Sequence, residues 1–467
     1  MRWYRFGADF FVCDCEKLKM YWRYIEFFGK MQAGKDAPKM CRRINQRFPR
    51  NMKGSPMKHR PHAPSPDALG ADQSNLPSPI KADLYRRLDP KVQAAYRPVD
   101  PRYERLPRFC WVLYGIAAVC LVLYIVQGAS VAFSDWFNRT ISAAGRTLLA
   151  TLTNWLPFSL GEFCIFMLPV GLGLGLWYAI RHRCDTWRTA GVYIGILLSV
   201  VVSIFSVFVL NFSAGYRGST LDVKLGLSQE KVSAEELYDT AVILIDHINQ
   251  ETENIAFYPD DFSVMPYSIR EMNRHLNQAF EDFAADKDFI NHTDSYVKPV
   301  LSSEVLSYMH ITGVYSIFTG EANINVGFPD YTIPYTAAHE MAHQRGIARE
   351  NEANFVAFLV CIGSEDSYVR YSAYLNMYEY VANALYSADK ELYNKAVANL
   401  NSPVKAEMSA YNRFYDKYKE STASKVSGTV NNSYLQSQGE SAGIRSYGMV
   451  VDLAVAYFRT NSPTADN

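Results

Sequence analysis

The chain has 467 residues, 49% of them hydrophobic and 14% aromatic, and it balances 47 Lys+Arg against 47 Asp+Glu. That length leaves room for two or three domains, and the apolar content excludes a mostly disordered protein. The zero net charge conceals an asymmetry: residues 1–108 hold 23 basic against 11 acidic side chains, a surplus of +12, so the rest of the chain carries −12. Of eight cysteines only Cys361 lies in the C-terminal half; Cys13 and Cys15 stand too close for a zinc knuckle, and no C-x-x-C occurs. Neither a disulfide framework nor a cysteine-based zinc site is expected.

Residues 1–30 are aromatic but broken by Arg2, Arg5, Asp9, Asp14 and Glu16, which denies them the continuous apolar core of a signal peptide. Residues 31–108 are rich in Pro, Arg and Lys, and Pro61 to Pro79 reads as a solvated linker. Residues 1–108 are therefore expected to be a basic, disordered cytoplasmic tail able to touch anionic headgroups, or an artefact of an upstream start, with Met52 and Met57 as later candidates.

From Phe109 the character changes. Phe109–Phe133 and Thr189–Tyr216 carry no charge, and Trp155–Ile180 carries only Glu162. Each exceeds the roughly 18–20 residues that cross a hydrocarbon core, so residues 109–217 are expected to be a three-span anchor. Pro157, Pro169, Gly171, Gly173 and Gly175 predict that the second span is kinked or closely packed, with Glu162 near its outer interface. Arg102, Arg105 and Arg108 precede the first span, and Arg181, Arg183 and Arg188 separate the other two. Both loops read as cytoplasmic, which places residues 218–467 outside the cytoplasmic membrane.

Residues 218–300 read as mostly helical, opened by a capping box at Ser233-Ala-Glu-Glu236. Glu321–Val326 alternates as a strand just before the next helix; it is expected either to be an ordinary structural hairpin strand or, as in zincins, the edge along which an extended peptide can lie. Then comes His339-Glu340-Met-Ala-His343, an H-E-x-x-H sequence. On a helix its two histidines differ by about 40° in azimuth and about 6 Å in height, so they share a face and can share one Zn²⁺. Glu340, off that face, is placed to take a proton from a water at the metal. The neighbours Ala337, Ala338, Met341 and Ala342 predict a buried helix, where two imidazoles and a carboxylate need partners.

Gly346 predicts the end of that helix, and helical patterning resumes from Glu350 to Cys361, a helical hairpin. Glu350 and Asn354 share a face while Glu352 lies about 200° from Glu350. The run Glu350-Asn-Glu-Ala-Asn354 resembles the third-ligand segment of thermolysin-like zincins and the E-x-E-A-N/D run of CAAX prenyl proteases and phage-repressor-cleaving zincins, although only six residues separate His343 from Glu350. That resemblance implies Glu350 as the third ligand and Asn354 as a supporting residue, with Glu352 as the alternative ligand. Tyr368, Tyr371, Tyr374, Tyr378 and Tyr380 crowd one helical region and read as core; Arg445 and Tyr447 are weak candidates to return to the cleft.

From the first span onward the chain resembles a bacterial family of membrane-anchored HExxH zincins of the gluzincin-like kind. The resemblance rests on Val297–Leu301, Gly313–Tyr315, Phe318–Asn323, Ala338–Gly346, Arg349–Asn354 and Gly443–Tyr447. It implies a bacterial membrane protein with a zinc metallopeptidase domain and no substrate; with the spans and their flanking arginines the expectation is a multi-pass inner-membrane protein whose domain is extracytoplasmic. The expected fold is mainly α: three transmembrane helices, then a mostly helical zincin-like domain with a short β-sheet. The expected cofactor is Zn²⁺, and the expected partners are a peptide or protein substrate and the lipid bilayer, not nucleic acid. A non-catalytic membrane receptor or assembly protein with a structural zinc is the alternative; a fourth protein ligand distinguishes it from an enzyme.

Overall fold

The computed structural model describes residues 105–181, 187–228, 230–259, 262–419, 421–438 and 449–461. The expectations for residues 1–104 and for Arg183, Arg445 and Tyr447 lie outside the described residues.

Three helices are long and apolar enough to cross a membrane: α1 (Arg108–Ala129), α4 (Leu160–Arg181) and α5 (Trp187–Asn211). Each is shorter than its apolar run in the sequence, for local reasons. Ser130 ends α1 in an extended conformation and caps α2 (Val131–Phe137), its hydroxyl accepting from Phe133 N–H. Pro157 falls outside α4, while Pro169 lies within it. Beyond α2, one π-turn at Asn138–Ser142 leads into α3 (Ala143–Thr153). Helix α1 packs along α5. Helix α4 buries nothing in its apolar window, and a Cβ added at Gly171, Gly173 or Gly175 would meet nothing within 4 Å, so among the described residues nothing packs closely against them.

After α5 the chain forms α6 (Ser213–Arg217), α7 (Leu221–Leu225), α8 (Ala234–Glu251) and α9 (Ile269–Ala284). The capping box at Ser233 and Glu236 is formed in both directions. Next come β1 (Lys298–Pro299), α10 (Ser303–Tyr308), β2 (Gly313–Ser316) and β3 (Glu321–Ile324), then α11 (Thr332–Gln344), α12 (Glu350–Ile362) and α13 (Ser367–Ala388). The remaining helices are α14 (Lys390–Ala398), α15 (Ser402–Asp416), α16 (Thr422–Ser437) and α17 (Val450–Asn461). Helices α8, α9, α11, α12, α13 and α17 enclose one apolar core, with Leu244, Met272, Met341, Phe358, Tyr371 and Val455 among its buried members. Four of the five expected core tyrosines, 368, 371, 374 and 378, are indeed buried. The spans and this core belong to one unit, Ala94–Asn467.

The sheet has the order β1-β3-β2, with β1 parallel and β2 antiparallel to β3. Strand β3, expected as the edge, is therefore central, and all four of its residues are buried; the edges are β1 and β2. A buried ion pair anchors this sheet to the membrane helices. Lys298 Nζ lies 2.6 Å from Glu321 Oε1, both side chains only 1% exposed, and also donates to the Thr153 carbonyl at the end of α3 (2.8 Å). The two Glu321 oxygens accept from Leu160 N (2.9 Å) and Gly161 N (2.8 Å), the unpaired amides at the start of α4. The next residue, Glu162, accepts from the amides of Leu301 (2.9 Å) and Ser302 (2.7 Å). The start of α4 is thus pinned to the sheet.

Removing one member of such a pair leaves a buried charge without its partner. Lys298→Met should destabilise the protein by about 3–5 kcal/mol, whereas the double change Lys298→Met with Glu321→Leu should recover part of that loss. Denaturant titration of the three proteins measures both effects; equal stability of the single variant and the parent would contradict this account.

Candidate metal centre

Helix α11 is buried on every side, and it carries both histidines because its end is strictly defined. Ile347 N–H donates to the Ala342 carbonyl and Gly346 N–H to the His343 carbonyl, each at 3.1 Å, the two bonds of a Schellman turn. Gly346 supplies the left-handed backbone this turn requires, with φ of 103°. The turn also brings the Ile347 carbonyl under His343, whose Nδ1–H donates to it at 2.7 Å. That bond selects the tautomer whose Nε2 lone pair faces away from the backbone.

That lone pair points into a cluster. His343 Nε2 lies 3.0 Å from His339 Nε2, and Glu350 Oε2 lies 3.1 Å from His339 Nε2 and 3.4 Å from His343 Nε2. His339, His343 and Glu350 are the one group of metal-ligating side chains so gathered among the described residues. Glu350 opens α12, directly after the turn. Burial by itself would lower the basicity of the His343 imidazole, but the charge and hydrogen bond of Glu350 outweigh it and lift the pKa to about 9. Glu350 feels the reciprocal effect: burial would raise it, and the two imidazoles hold it well below the usual carboxylate range. The three side chains therefore form a pocket of cationic preference, and two imidazole nitrogens with one carboxylate oxygen are a donor set that Zn²⁺ favours. The residues present fit that ion.

Glu340 sits beside the cluster. Burial raises its pKa, opposed by His339 and His343. Its carboxylate lies over β2, where Gly313 has no side chain: a Cβ on Gly313 would stand 2.5 Å from Glu340 Oε1. Asn354 lies one turn along α12 from Glu350, buried, with the Tyr335 hydroxyl donating to its carbonyl at 3.0 Å. Its side-chain amide meets the Tyr380 hydroxyl and neither histidine, and the Nδ1 of His339 is a buried atom with no partner among the described residues. Glu352 is not part of the cluster. Its Oε1 accepts from Leu221 N (3.0 Å) and Arg349 Nη1 (2.9 Å), which ties α12 to α7.

The cluster opens on a cavity of about 1330 Å³ whose walls are α5, β2, α13, α15 and α16. The side chains of His339 and Glu350 keep 12% and 13% exposure, enough to meet a ligand from that side. Sequence reasoning passed over several residues here. Tyr380, pushed up to about 12 first by burial and then by the charges of Glu379 and Glu350, lines the cavity on α13. Glu379, raised to about 7 by burial, accepts from the Tyr331 hydroxyl at 3.0 Å. His310 faces the cavity from a left-handed backbone (φ 57°), its ring nitrogens 2.9 Å from the Tyr418 carbonyl and the Tyr415 hydroxyl. Only the helical spacing of Tyr380, offset from its neighbours, carried any signal.

Fold and site together define a mostly helical protein with three potential membrane spans and a two-histidine, one-glutamate cluster at a cavity. The family described as "Protein of unknown function (DUF3810)" matches residues 137–455, more than half of the chain, and the chain belongs to that family. No curated protein and no solved structure matches it.

The turn after α11 tolerates no side chain. A Cβ at Gly346 would lie 2.6 Å from Arg146 Nη2, in a conformation that L residues rarely adopt. Gly346→Ala should therefore cost about 1–3 kcal/mol from the backbone alone, lower Tm, and weaken zinc binding through His343. A variant with unchanged Tm and zinc affinity would show that the turn does not set the cluster.

Proposed function

We propose that this protein is a membrane-anchored zinc hydrolase, gluzincin-like in its domain, that cleaves peptide bonds on the extracytoplasmic face of a bacterial inner membrane. The observation that carries this reading is the convergence of His339, His343 and Glu350 on one point at the wall of a large cavity, with Glu340 beside them. A structural zinc is usually closed by a fourth protein ligand. Here three side chains converge and the remaining side faces the cavity, which favours catalysis over the receptor reading.

His339 Nε2, His343 Nε2 and Glu350 Oε2 would hold the ion, which when bound supplies Lewis-acid polarisation of water and of the scissile carbonyl. The protein's own groups do the rest. Glu340, raised by burial, accepts the proton of the attacking water and returns it to the departing amine. The β2 edge orients the substrate. Asn325 N–H donates to the Thr312 carbonyl at 2.8 Å, and Thr312 stands opposite Asn325 when the register of Gly313 with Ile324 is extended by one. Alternation then turns the backbone groups of Gly313 and Tyr315 away from β3: the Tyr315 amide donates to the Glu340 carboxylate, and the Gly313 groups and the Tyr315 carbonyl are left for an extended peptide to pair with.

Glu340→Gln should abolish hydrolysis, a loss of about 10²–10⁴ in rate, and leave zinc bound. Glu350→Gln should weaken zinc affinity by roughly 10–100-fold or more, and Glu352→Gln should lower stability with zinc retained. Zinc content, affinity and peptidase rate measured side by side decide this. Zinc lost from Glu352→Gln and kept by Glu350→Gln would move the third ligand by two residues; unchanged activity in all three would end the enzyme reading.

The proposed orientation follows from Arg105 before α1, Arg108 as its first residue and Arg188 at the start of α5, with an odd number of crossings before the cluster. A reporter fused after Asn467 should be active only in the form that works outside the cytoplasm. A cytoplasmic signal would reverse the topology.

A further inference from the structure

The cavity does not stop at the ectodomain. Its wall continues from the metal cluster onto the third membrane helix: the His343 ring meets Phe212 at 5.9 Å between centroids, and Phe208 and Ile204 of α5 follow along the same wall. Ile204 lies seven residues before the end of α5, about 10 Å along its axis. The 25 residues of α5 span about 37 Å, roughly 7 Å more than a hydrocarbon core. Even with that whole excess at the domain end, Ile204 stands within the hydrocarbon. It is nonetheless 50% exposed while lining the cavity, so at this point the cavity opens sideways to the lipid.

The facing wall is built to match. Helix α16 turns Val426, Val430 and Tyr434 to the cavity at four-residue spacing. Val426 is 59% and Val430 64% exposed, and the Tyr434 ring packs on Phe208 and Tyr216 where α16 meets the membrane helices. Val314 and Phe318, also exposed, add an apolar rim at β2 and its turn. The β2–β3 hairpin is itself fixed to the start of α4 through Glu321. Exposed apolar side chains along one cleft are costly in water and favourable beside lipid or an apolar ligand.

A lipid alone would have no use for the rest of the cleft. The outward backbone of Gly313, the outward Tyr315 carbonyl and the side-chain amide of Asn383 are groups that pair with a peptide backbone. We infer that the substrate of this site is the segment of a membrane-spanning polypeptide that emerges from the bilayer, its apolar end lying between α5 and α16 and its first extended residues lying along β2 at the metal cluster. This rests on the hydrolase reading above and names the substrate class for it.

The test uses the full-length protein, zinc-loaded, in phosphatidylethanolamine/phosphatidylglycerol nanodiscs. The probe is a randomised decapeptide library fused to a Leu/Ala transmembrane helix, either directly or through Gly/Ser spacers of increasing length. All members share the same membrane concentration, so tethering alone cannot separate them. Direct fusions should be cut at least about tenfold faster than those with the longest spacer, with Val430→Asp removing most of the preference by placing a charge against the apolar segment. A second readout needs no turnover: in metal-free His339→Ala, His343→Ala protein, a benzophenone amino acid at Val430 should cross-link the direct fusion in preference to the spaced one. Equal cleavage and equal cross-linking across the series would overturn the inference while leaving the hydrolase standing. Cleavage of phospholipid esters with the peptides intact would make lipid the substrate and overturn it as well. If no fusion is cut with zinc in place and the library is also intact as free peptide, the hydrolase reading falls and takes this inference with it.

Discussion

The turn from His343 to Glu350 holds the two halves of the cluster at a fixed separation, and both sides of it are clasped by membrane-proximal segments. On one side the Gly346 carbonyl accepts from Asn138 Nδ2 (2.9 Å), and Asn138 is held in turn by Arg146, which also donates to the Asn211 carbonyl at the end of α5. On the other side Gly215 lies so close that a Cβ there would stand 2.7 Å from Ala348 Cβ. Arg349 extends the clasp through the carbonyls of Tyr216 and Gly218. A connection of six residues has little slack, so an error of an ångström in this turn would become an error in where Glu350 meets the imidazoles.

The same economy of connection explains why the cavity sits where it does. Lys298 and Glu321 tie the sheet to the ends of α3 and α4, and Gln344 Nε2 donates to the Gly320 carbonyl at 2.6 Å, tying the hairpin turn to the end of α11. Gly320 needs its positive φ of 70° there, because a Cβ would strike Leu149. Metal helices, edge strand and membrane helices thus share a short set of buried polar links, and the space left between them and α16 is the cavity. Buried links of this kind specify one arrangement more than they stabilise it.

Much of this was legible in the chain, and what was not has physical reasons. The three spans follow from uninterrupted apolar length, and the helical hairpin from Gly346 and the resumption of pattern at Glu350. Azimuths on a helix separate Glu350 from Glu352, and the resemblance to the third-ligand segment of thermolysin-like zincins implied which of the two meets the histidines. The edge strand was misplaced because Gly313–Ser316 and Glu321–Ile324 are both four residues long, and short alternation does not reveal which strand is central. The glycines of α4 permit close approach without requiring it, and no described residue packs against them. Tyr380 and Glu379 hid among the core tyrosines of α13, and His310 owes its place to a left-handed backbone that composition does not signal. The apolar wall of the cavity was invisible because it is a property of α5 and α16 together.

Zinc K-edge X-ray absorption on the purified full-length protein, loaded with one equivalent of Zn²⁺, tests the centre of this account most directly. The account predicts one bound ion with two imidazole ligands and otherwise only oxygen neighbours, at roughly 2.0–2.2 Å, and loss of that spectrum in the His339→Ala, His343→Ala protein. A sulfur ligand, a third imidazole, or an unchanged spectrum in the double variant would contradict it.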